Sequence, residues 1–324
     1  MIFNNIYSFI ENNHLITANS TIIIGLSGGP DSVFLTYLLN ALKEHYNITL
    51  IAVHLDHEWR TNSADDILFC AQLCKQLAIP FMSKKGSQLK ITSKKTGSQE
   101  ELGRKMRRAF LEEVAQQYDA YAIALGHHMQ DQQETFFIRL IRSATLSGLT
   151  SMRPKAGKYI RPLLETNKEA ILTYLHEHDI PYLTDPTNSS LNYLRNRIRL
   201  KVLPALQETD ARFDANFLRT LRALQETDDF LYKLTLDTYK KIVIDMDDMP
   251  LLDLQSLLAL DNFLQKRVLL HWIVENKVSF ELTEKLLQEI QRFLVQKKSN
   301  QHTLHQQWAI IKKNGLVGIK KLQA

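Results

Sequence analysis

The fold is decided by residues 21–32, which read TIIIGLSGGPDS. The β-branched run at 21–26 predicts a buried parallel strand, and apolar residues at helical spacing in 33–46 predict a helix. A glycine-rich turn therefore joins a strand to a helix N-terminus. The same alternation continues with strands predicted at 48–55, 80–83 and 121–125, and helices at 65–77, 98–118 and 131–142. This order predicts a doubly wound, mostly parallel α/β sheet.

The pattern changes after Pro204. Apolar residues at three- and four-residue spacing predict that 205–295 is nearly all helical. Asn314-Gly315 predicts a tight turn between two short terminal strands. We therefore expect an α/β domain at 1–205 and a smaller, mainly helical domain at 206–324.

Composition excludes several classes of protein. The chain has 324 residues, 44% hydrophobic and 23% charged, which is ordinary globular usage and not that of a disordered chain. No stretch approaches the roughly 18 to 20 apolar residues of a membrane span, and the N-terminus does not resemble a signal peptide. Two cysteines cannot form a disulfide framework, so we expect a cytoplasmic protein.

The charge distribution suggests a polyanionic partner. The net charge is +5 and the sequence pI is about 9.0. Basic residues are concentrated at 84–108, 139–161, 195–201 and 292–324, whereas 208–289 is acidic overall. Such blocks are typical of a nucleic-acid-facing surface, and solvated basic faces are the alternative interpretation.

The turn at 27–32 has the composition of a phosphate cradle. Its glycines allow a tight turn, and the helix that follows offers unpaired N–H groups and a positive dipole end. It is not a Walker A loop, because no Gly-Lys-Ser/Thr follows. The Asp31 carboxylate would repel a phosphate unless a cation lies between them, which makes Mg²⁺ a natural partner. A plain strand-to-helix turn with Asp31 as N-cap is the alternative. The predicted nucleotide-binding residues of this turn are Ser27, Gly28, Gly29, Pro30, Asp31 and Ser32.

A second polar segment, GHHMQDQQET at 126–135, follows the fourth predicted strand. Ligands of open α/β sheets lie beyond the carboxyl ends of the strands. Asp131 and Glu134 are three residues apart and share a helix face, where they could hold a cationic substrate or a metal. His127 and His128 suggest either a zinc site without an evident third ligand or a helix N-terminal contact.

A third segment combines DPTN at 185–188 with Arg195, Arg197 and Arg199. Arginines at alternate positions cannot share one helix face, so some would contact phosphates and others acids, unless the helix is simply solvated.

Cys70 and Cys74 are four residues apart on a predicted helix, and a buried pair of thiols is favoured over a metal pair.

Taken together, these segments resemble the tRNA(Ile)-lysidine synthetases of the PP-loop ATP pyrophosphatase superfamily. The loop at 27–32 resembles the superfamily's SGGxDS motif. The segment 54–57 with Arg60 and Ser63, the segment 126–135, and Arg161-Pro162-Leu163-Leu164 resemble motifs of the narrower family. The segments 185–188 and 195–199 continue that resemblance, so it runs from about 21 to 204.

The resemblance implies an ATP-dependent ligase that acts on the isoleucine tRNA with a CAU anticodon. ATP would adenylate C2 of the wobble cytidine, and free L-lysine would displace AMP, so that the tRNA decodes AUA instead of AUG. The first domain would be the PP-loop catalytic domain, and 206–324 would be a linker and tRNA-binding domain. The implied site residues are Asp31 for Mg²⁺, Asp131 and Glu134 for the lysine ammonium, Arg104 for catalysis, His54 for the nucleotide, and Arg107, Arg108, Arg195, Arg197 and Arg199 for tRNA.

Two alternatives stay open: a 2-thiolation enzyme of the same superfamily, for which Cys70 and Cys74 lack the usual spacing, and a non-catalytic tRNA-binding relative.

The chain departs from the family pattern in places. Family members often carry a second Asp where this chain has Gln130. Many are also longer, with a second C-terminal domain, so the chain is either a short form or a truncated one. A homodimer is an oligomeric state known in the family.

Overall fold

The computed structural model describes residues 2–59, 63–89, 99–150, 152–184, 191–246, 249–278, 283–296, 300–305 and 307–322. The predicted motif at 185–188, Arg60, Lys90, Lys94 and Lys95 lie outside these residues. Contacts divide the chain into two compact units, Met1–Arg222 and Ala223–Ala324. In the part of the chain so described, no helix is long and apolar enough to cross a membrane.

The first unit alternates strands with helices, as the sequence predicts. Its strands are β1 (Thr21–Gly25), β2 (Thr49–Asp56), β3 (Phe81–Lys85), β4 (Ala122–Ala124), β5 (Lys155–Ala156) and β6 (Tyr159–Ile160). Its helices are α1 (Ile2–Asn12), α2 (Pro30–Tyr46), α3 (Ser63–Gln76), α4 (Gln99–Gln117), α5 (Met129–Ile141), α6 (Leu146–Leu149), α7 (Lys168–Glu177), α8 (Leu194–Arg197) and α9 (Leu203–Thr209). The π-helical turn Ile198–Val202 connects α8 to α9.

The six strands form one sheet in the order β3-β2-β1-β4-β6-β5. All neighbours are parallel except β5 and β6. Both faces are covered. Ile22 and Ile24 pack with α1, α2, α3 and α7, whereas Ile23 packs with α4 on the opposite face. Since alternate side chains of a strand point to opposite faces, the continuous apolar run of β1 fits a strand buried on both sides. The predicted doubly wound fold is confirmed.

The second unit combines helices with a small antiparallel sheet. The long helix α10 (Phe213–Ile242) starts within the first unit and continues into the second. It is followed by β7 (Val243–Met246), β8 (Met249–Asp253), α11 (Leu254–Leu258), α12 (Asn262–Glu275), α13 (Glu284–Val295), β9 (Gln301–His305), β10 (Trp308–Lys313) and β11 (Leu316–Lys321). The strand order is β7-β8-β11-β10-β9. Trp272 is fully buried in the core, and its indole N–H donates to the Pro250 carbonyl at 2.6 Å. The predicted strand pair around Asn314-Gly315 is confirmed by β10 and β11.

The expectation that 205–295 is nearly all helical is wrong at 243–253, where β7 and β8 intervene. Pro250 weakens the strand pattern there, because proline lacks the N–H that a ladder needs. Pro250 lies opposite Asp245 of the edge strand β7 but outside the pairing of β8 with β11, which involves only Leu252 and Asp253. The exposed edge strand β7 has little apolar alternation that could have revealed it.

Candidate active site

The loop between β1 and α2 is held in shape by its own side chains. Gly28 has φ = +85°, and a Cβ there would lie 2.6 Å from Cδ1 of Leu183, so only glycine fits. The Ser32 hydroxyl donates to the Gly29 carbonyl at 2.9 Å and accepts from the Ser27 backbone N–H at 3.1 Å. The Ser27 hydroxyl lies 3.0 Å from that of Ser32. The result is a pre-formed turn that ends at the N-terminus of α2, as an anion cradle requires.

Asp31 is not the N-cap of α2, which corrects the alternative interpretation of this turn. Gly29 is the N-cap and Pro30 opens the helix, so Asp31 lies in the first turn. Gly126, which follows β4, packs against the backbone of Asp31. A Cβ at position 126 would lie 2.9 Å from both the carbonyl carbon and oxygen of Asp31. The close approach brings the second predicted segment directly against the loop.

Asp31 belongs to a compact cluster of charges. One carboxylate oxygen forms an ion pair with Lys168 Nζ, and the other lies 3.7 Å from Nε2 of His128. The same Nε2 lies 3.5 Å from Oδ2 of Asp131. The Asp31 and Asp131 side chains keep 26% and 16% of their surface exposed, so both carboxylates can be reached by a ligand. The predicted pairing of the loop with Asp131 at one sheet edge therefore exists in the fold.

Gln130 connects this cluster to α7. Its side-chain oxygen accepts from the backbone N–H of Lys168 at 3.0 Å and lies 3.2 Å from Nδ1 of His128. Asn167 caps α7 by accepting from the Glu169 N–H. Sequence reasoning missed Lys168, because only the pairing of β6 with β4 brings the start of α7 to this edge. The asparagine cap before an apolar helical run was the available signal for the helix, but not for the contact with Asp31.

Asp131 remains anionic in spite of its environment. Burial acts to raise the pKa of its carboxyl, but the nearby His128 and His127 rings and the His128 backbone N–H together lower it. That N–H donates to Oδ2 of Asp131 at 3.0 Å, so the carboxylate also caps α5. His128 is the N-cap residue of α5, which agrees with the helix N-terminal interpretation of the histidine pair. A zinc site is not supported, because the described residues contain no cluster of three or more His, Cys, Asp or Glu side chains suited to a metal.

Glu134 is fully buried, and its charge is already compensated. Arg199 donates to it in a bidentate manner, with Nε–Oε1 at 2.5 Å and Nη2–Oε2 at 3.1 Å. Arg195 Nε lies 3.1 Å from Oε2, and its Nη2 donates to the Thr135 hydroxyl at 3.1 Å. Burial raises the pKa of Glu134, and the two guanidinium groups oppose this shift. Direct contact of Glu134 with a substrate ammonium is therefore not favoured, because arginines occupy both carboxylate oxygens.

The other predicted arginines have different surroundings. Arg197 is exposed and faces away from Glu134, since its guanidinium donates to the carbonyls of Leu191 and Asn192 at 3.3 Å. The alternation of inward and outward arginines at 195–199 matches the sequence expectation. Arg108 pairs with Glu112 at 2.9 Å and stacks on the Tyr159 ring. Arg104 is an exposed residue of α4. Contacts of these arginines with tRNA stay predictions.

His54 supports the loop from behind. It is buried, and its Nδ1 donates to the Leu26 carbonyl at 2.9 Å, just before the cradle.

Cys70 and Cys74 are both buried, as predicted. Burial raises the pKa of Cys70 to about 12 and that of Cys74 to about 11, so neither forms the thiolate that a cluster or persulfide chemistry needs. This chemistry does not favour the 2-thiolation alternative.

His127 makes the first unit sensitive to acid. Burial lowers its pKa to about 4, and its Nδ1 is buried without a hydrogen-bond partner among the residues described. The unfolded ring titrates near 6.5, so between pH 6.5 and 4 the unfolded chain binds a proton that the folded chain excludes. Stability should fall with pH through this window, by about 2 kcal/mol for this group at pH 5. Urea unfolding at pH 7 and pH 5 measures the loss, which should shrink by that amount in His127→Gln. An unchanged pH dependence in the variant would contradict this origin.

Comparisons with known proteins identify the family of the chain. The PP-loop domain model matches residues 2–206. The tRNA(Ile)-lysidine synthase of Clostridium acetobutylicum is 35% identical over 243 residues, which are 73% of this chain and 52% of the relative. That of Bacillus subtilis is 33% identical over 277 residues, 83% of this chain and 58% of the relative. The chain thus spans little more than half the length of these curated relatives.

A solved structure shows the same fold at low sequence identity. The U34-tRNA thiolase NcsA of Methanococcus maripaludis, solved with its [4Fe-4S] cluster, has a TM-score of 0.59 and 20% identity. The similarity covers 68% of this chain and 78% of the thiolase chain. Because the PP-loop model matches well over half of the residues, and because the resemblance to tRNA(Ile)-lysidine synthases is confirmed by the curated relatives, the chain belongs to the PP-loop family.

Proposed function

We propose that the chain ligates free L-lysine to C2 of the wobble cytidine in the CAU-anticodon isoleucine tRNA, at the expense of ATP. The observation that carries the proposal is the cluster in which the glycine-rich loop, Asp31 and Asp131 meet at one sheet edge. Relatives named tRNA(Ile)-lysidine synthase, which are 32–35% identical over 72–85% of this chain, support the same reaction.

The first step is adenylation of the cytidine. Its C2 oxygen attacks the α-phosphorus of ATP, and the bond to the β-phosphate breaks to release pyrophosphate. The loop residues Ser27, Gly28 and Gly29, with the N–H groups at the start of α2, would bind the phosphates. The partly exposed Asp31 carboxylate would hold Mg²⁺ together with phosphate oxygens. An ion held there would neutralise charge on the leaving pyrophosphate.

The second step is attack by the lysine amine. The lysine ammonium loses a proton to solvent, the amine nitrogen then forms a bond to C2, and the C2–O bond to AMP breaks, so that AMP leaves. Asp131 is the carboxylate that would hold this ammonium, since it is anionic and partly exposed. Glu134 would act indirectly by fixing Arg195 and Arg199, whose side chains remain 27% and 34% exposed. A cytoplasmic location and a homodimer stay predictions that accompany this function.

Release of pyrophosphate distinguishes an enzyme from a tRNA-binding relative that has lost catalysis. We expect the chain to release pyrophosphate from ATP when unmodified CAU tRNA is present, and not with a tRNA whose wobble base is uridine. Release that is independent of the wobble base would contradict the proposed substrate. Binding of CAU tRNA without any release would favour the non-catalytic alternative.

The basic blocks predict binding that weakens steeply with salt. If about six phosphates are neutralised, log K should fall against log salt with a slope of about −4 to −5, at ~0.7 to 0.9 per phosphate. Arg197→Gln, which removes an exposed guanidinium, should reduce the slope by about one. Filter binding between low and moderate salt measures both. A flat dependence would instead assign the basic blocks to solvated faces.

A further inference from the structure

An exposed tryptophan lies just beyond the carboxyl end of β2, next to the strand that leads into the cradle. The Trp59 side chain is 46% exposed, although it is a large aromatic residue. One face of its indole stacks on the His57 ring, with centroids 4.5 Å apart and planes inclined by 21°. The stacked pair therefore presents an aromatic surface to solvent at the ligand-binding edge of the sheet.

The indole is fixed in place by a glycine of α4. A Cβ at Gly103 would lie 2.3 Å from Cη2 of Trp59 and 3.3 Å from Cε1 of His57. Any larger side chain would therefore displace the stacked pair. Because the indole rests on the helix backbone, its orientation is set before a ligand arrives, which reduces the entropy lost on binding.

Positive charge adjoins the aromatic pair. Arg107 Nη2 lies 3.2 Å from Nε2 of His57, and Arg104 lies one turn earlier on α4. Burial, helped by Arg107, lowers the pKa of His57 to about 4, so the ring is neutral and accepts this hydrogen bond.

The neighbouring cations of the helix have acidic partners of their own. Lys105 pairs with Glu101 and Arg108 with Glu112. Among the described residues, no such carboxylate pairs with Arg104 or Arg107. Within the described part of the chain, the two guanidinium groups without a carboxylate partner are thus on the part of α4 that contacts the indole.

We propose that Trp59, stacked on His57 and flanked by Arg107, is a platform for one unstacked nucleobase of a single-stranded RNA segment. Aromatic side chains that alternate with cations are the usual means of holding such bases, because each base has a π-face and each nucleotide a phosphate. The adenine of ATP is the competing occupant, and fluorescence titration distinguishes it from an RNA base. We take the RNA segment to be the anticodon loop, and this identification rests on the proposed function.

Tryptophan fluorescence tests the platform directly. The chain has three tryptophans. Trp272 is fully buried, and Trp308 belongs to the other unit. Titration with the anticodon stem-loop of the CAU tRNA should quench the wild-type emission, and Trp59→Phe should lose most of that quenching. The matched control Trp308→Phe should retain it. Equal quenching in wild type and Trp59→Phe, or quenching by ATP alone, would overturn the proposal.

Affinity provides the second readout. Loss of base stacking should weaken stem-loop binding by about 5- to 100-fold in Trp59→Ala, and by less in Trp59→Phe, which keeps a ring. An abasic nucleotide at the stacked position should abolish the difference between wild type and Trp59→Ala. A Trp59→Ala protein that is folded by circular dichroism and binds like wild type would contradict the platform. Quenching without lysine ligation would refute the proposed function alone, whereas ligation without quenching would refute the platform alone.

Discussion

Asp31→Asn is expected to lower the rate of pyrophosphate release by about a thousandfold while tRNA binding stays within about twofold of wild type. Asp31 lies in the first turn of α2, directly after the cradle, and a metal held by its carboxylate would contribute several kcal/mol of charge stabilisation, at 1.36 kcal/mol for each factor of ten. The hydrogen bonds that shape the loop are made by Ser27, Gly29 and Ser32, so the isosteric amide removes the Asp31 charge and leaves the loop intact. Single-turnover pyrophosphate release with saturating ATP and Mg²⁺ is the measurement.

The matched control for this variant is Asp210→Asn. Asp210 is an acid of the same unit that pairs with Arg212 at the surface, and its replacement should leave the rate unchanged. A near-wild-type rate for Asp31→Asn would contradict the metal-binding role of Asp31. Equal loss of tRNA binding and of rate would instead mean that Asp31 shapes the RNA site.

Glu134→Gln is expected to destabilise the first unit by about 3 kcal/mol. Removing one partner of a buried ion pair typically costs about 3 to 5 kcal/mol, because the remaining charge is left uncompensated. We expect a loss at the lower end of this range, since water can reach the partly exposed Arg195 and Arg199 side chains. Urea unfolding measures the loss, and Arg197→Gln, at an exposed position of the same segment, should change stability by less than about 0.5 kcal/mol.

The same variant separates two roles for Glu134. If the carboxylate held the lysine ammonium directly, stability would be preserved, and high lysine would restore ligation to Glu134→Gln. If it acts through the arginines, the variant is unstable, and lysine does not rescue it. The buried bidentate contact with Arg199 favours the second outcome.

The loop and its place in the fold could be predicted from sequence because the signals are local. A β-branched run, two glycines and a helical repeat follow one another directly in residues 21–46, so residue type alone predicts strand, turn and helix. The position of Asp131 near the loop was also predictable, since both segments follow parallel strands and the carboxyl ends of such strands share one edge.

Contacts between distant segments could not be predicted in this way. Lys168 reaches Asp31 across 137 residues, and Arg199 reaches Glu134 across 65. The first contact depends on the order of strands in the sheet, and the second on the π-helical turn Ile198–Val202. Residue spacing reveals neither. The sequence predicts that the arginines at 195–199 differ in direction, but arginines that pair with an internal acid and arginines that face solvent look alike in sequence, so only the structure shows which of them contact Glu134.

Incorporation of labelled lysine into tRNA tests the central proposal most directly. The chain is incubated with ATP, Mg²⁺, radiolabelled L-lysine and unmodified isoleucine tRNA with a CAU anticodon, and label in the tRNA is counted beside the AMP formed. We predict ATP-dependent incorporation that approaches one lysine per tRNA, one AMP for each lysine, and no label in a tRNA whose wobble cytidine is replaced by uridine. ATP-dependent pyrophosphate release with no lysine in the tRNA, or label that does not depend on the wobble cytidine, would contradict the account.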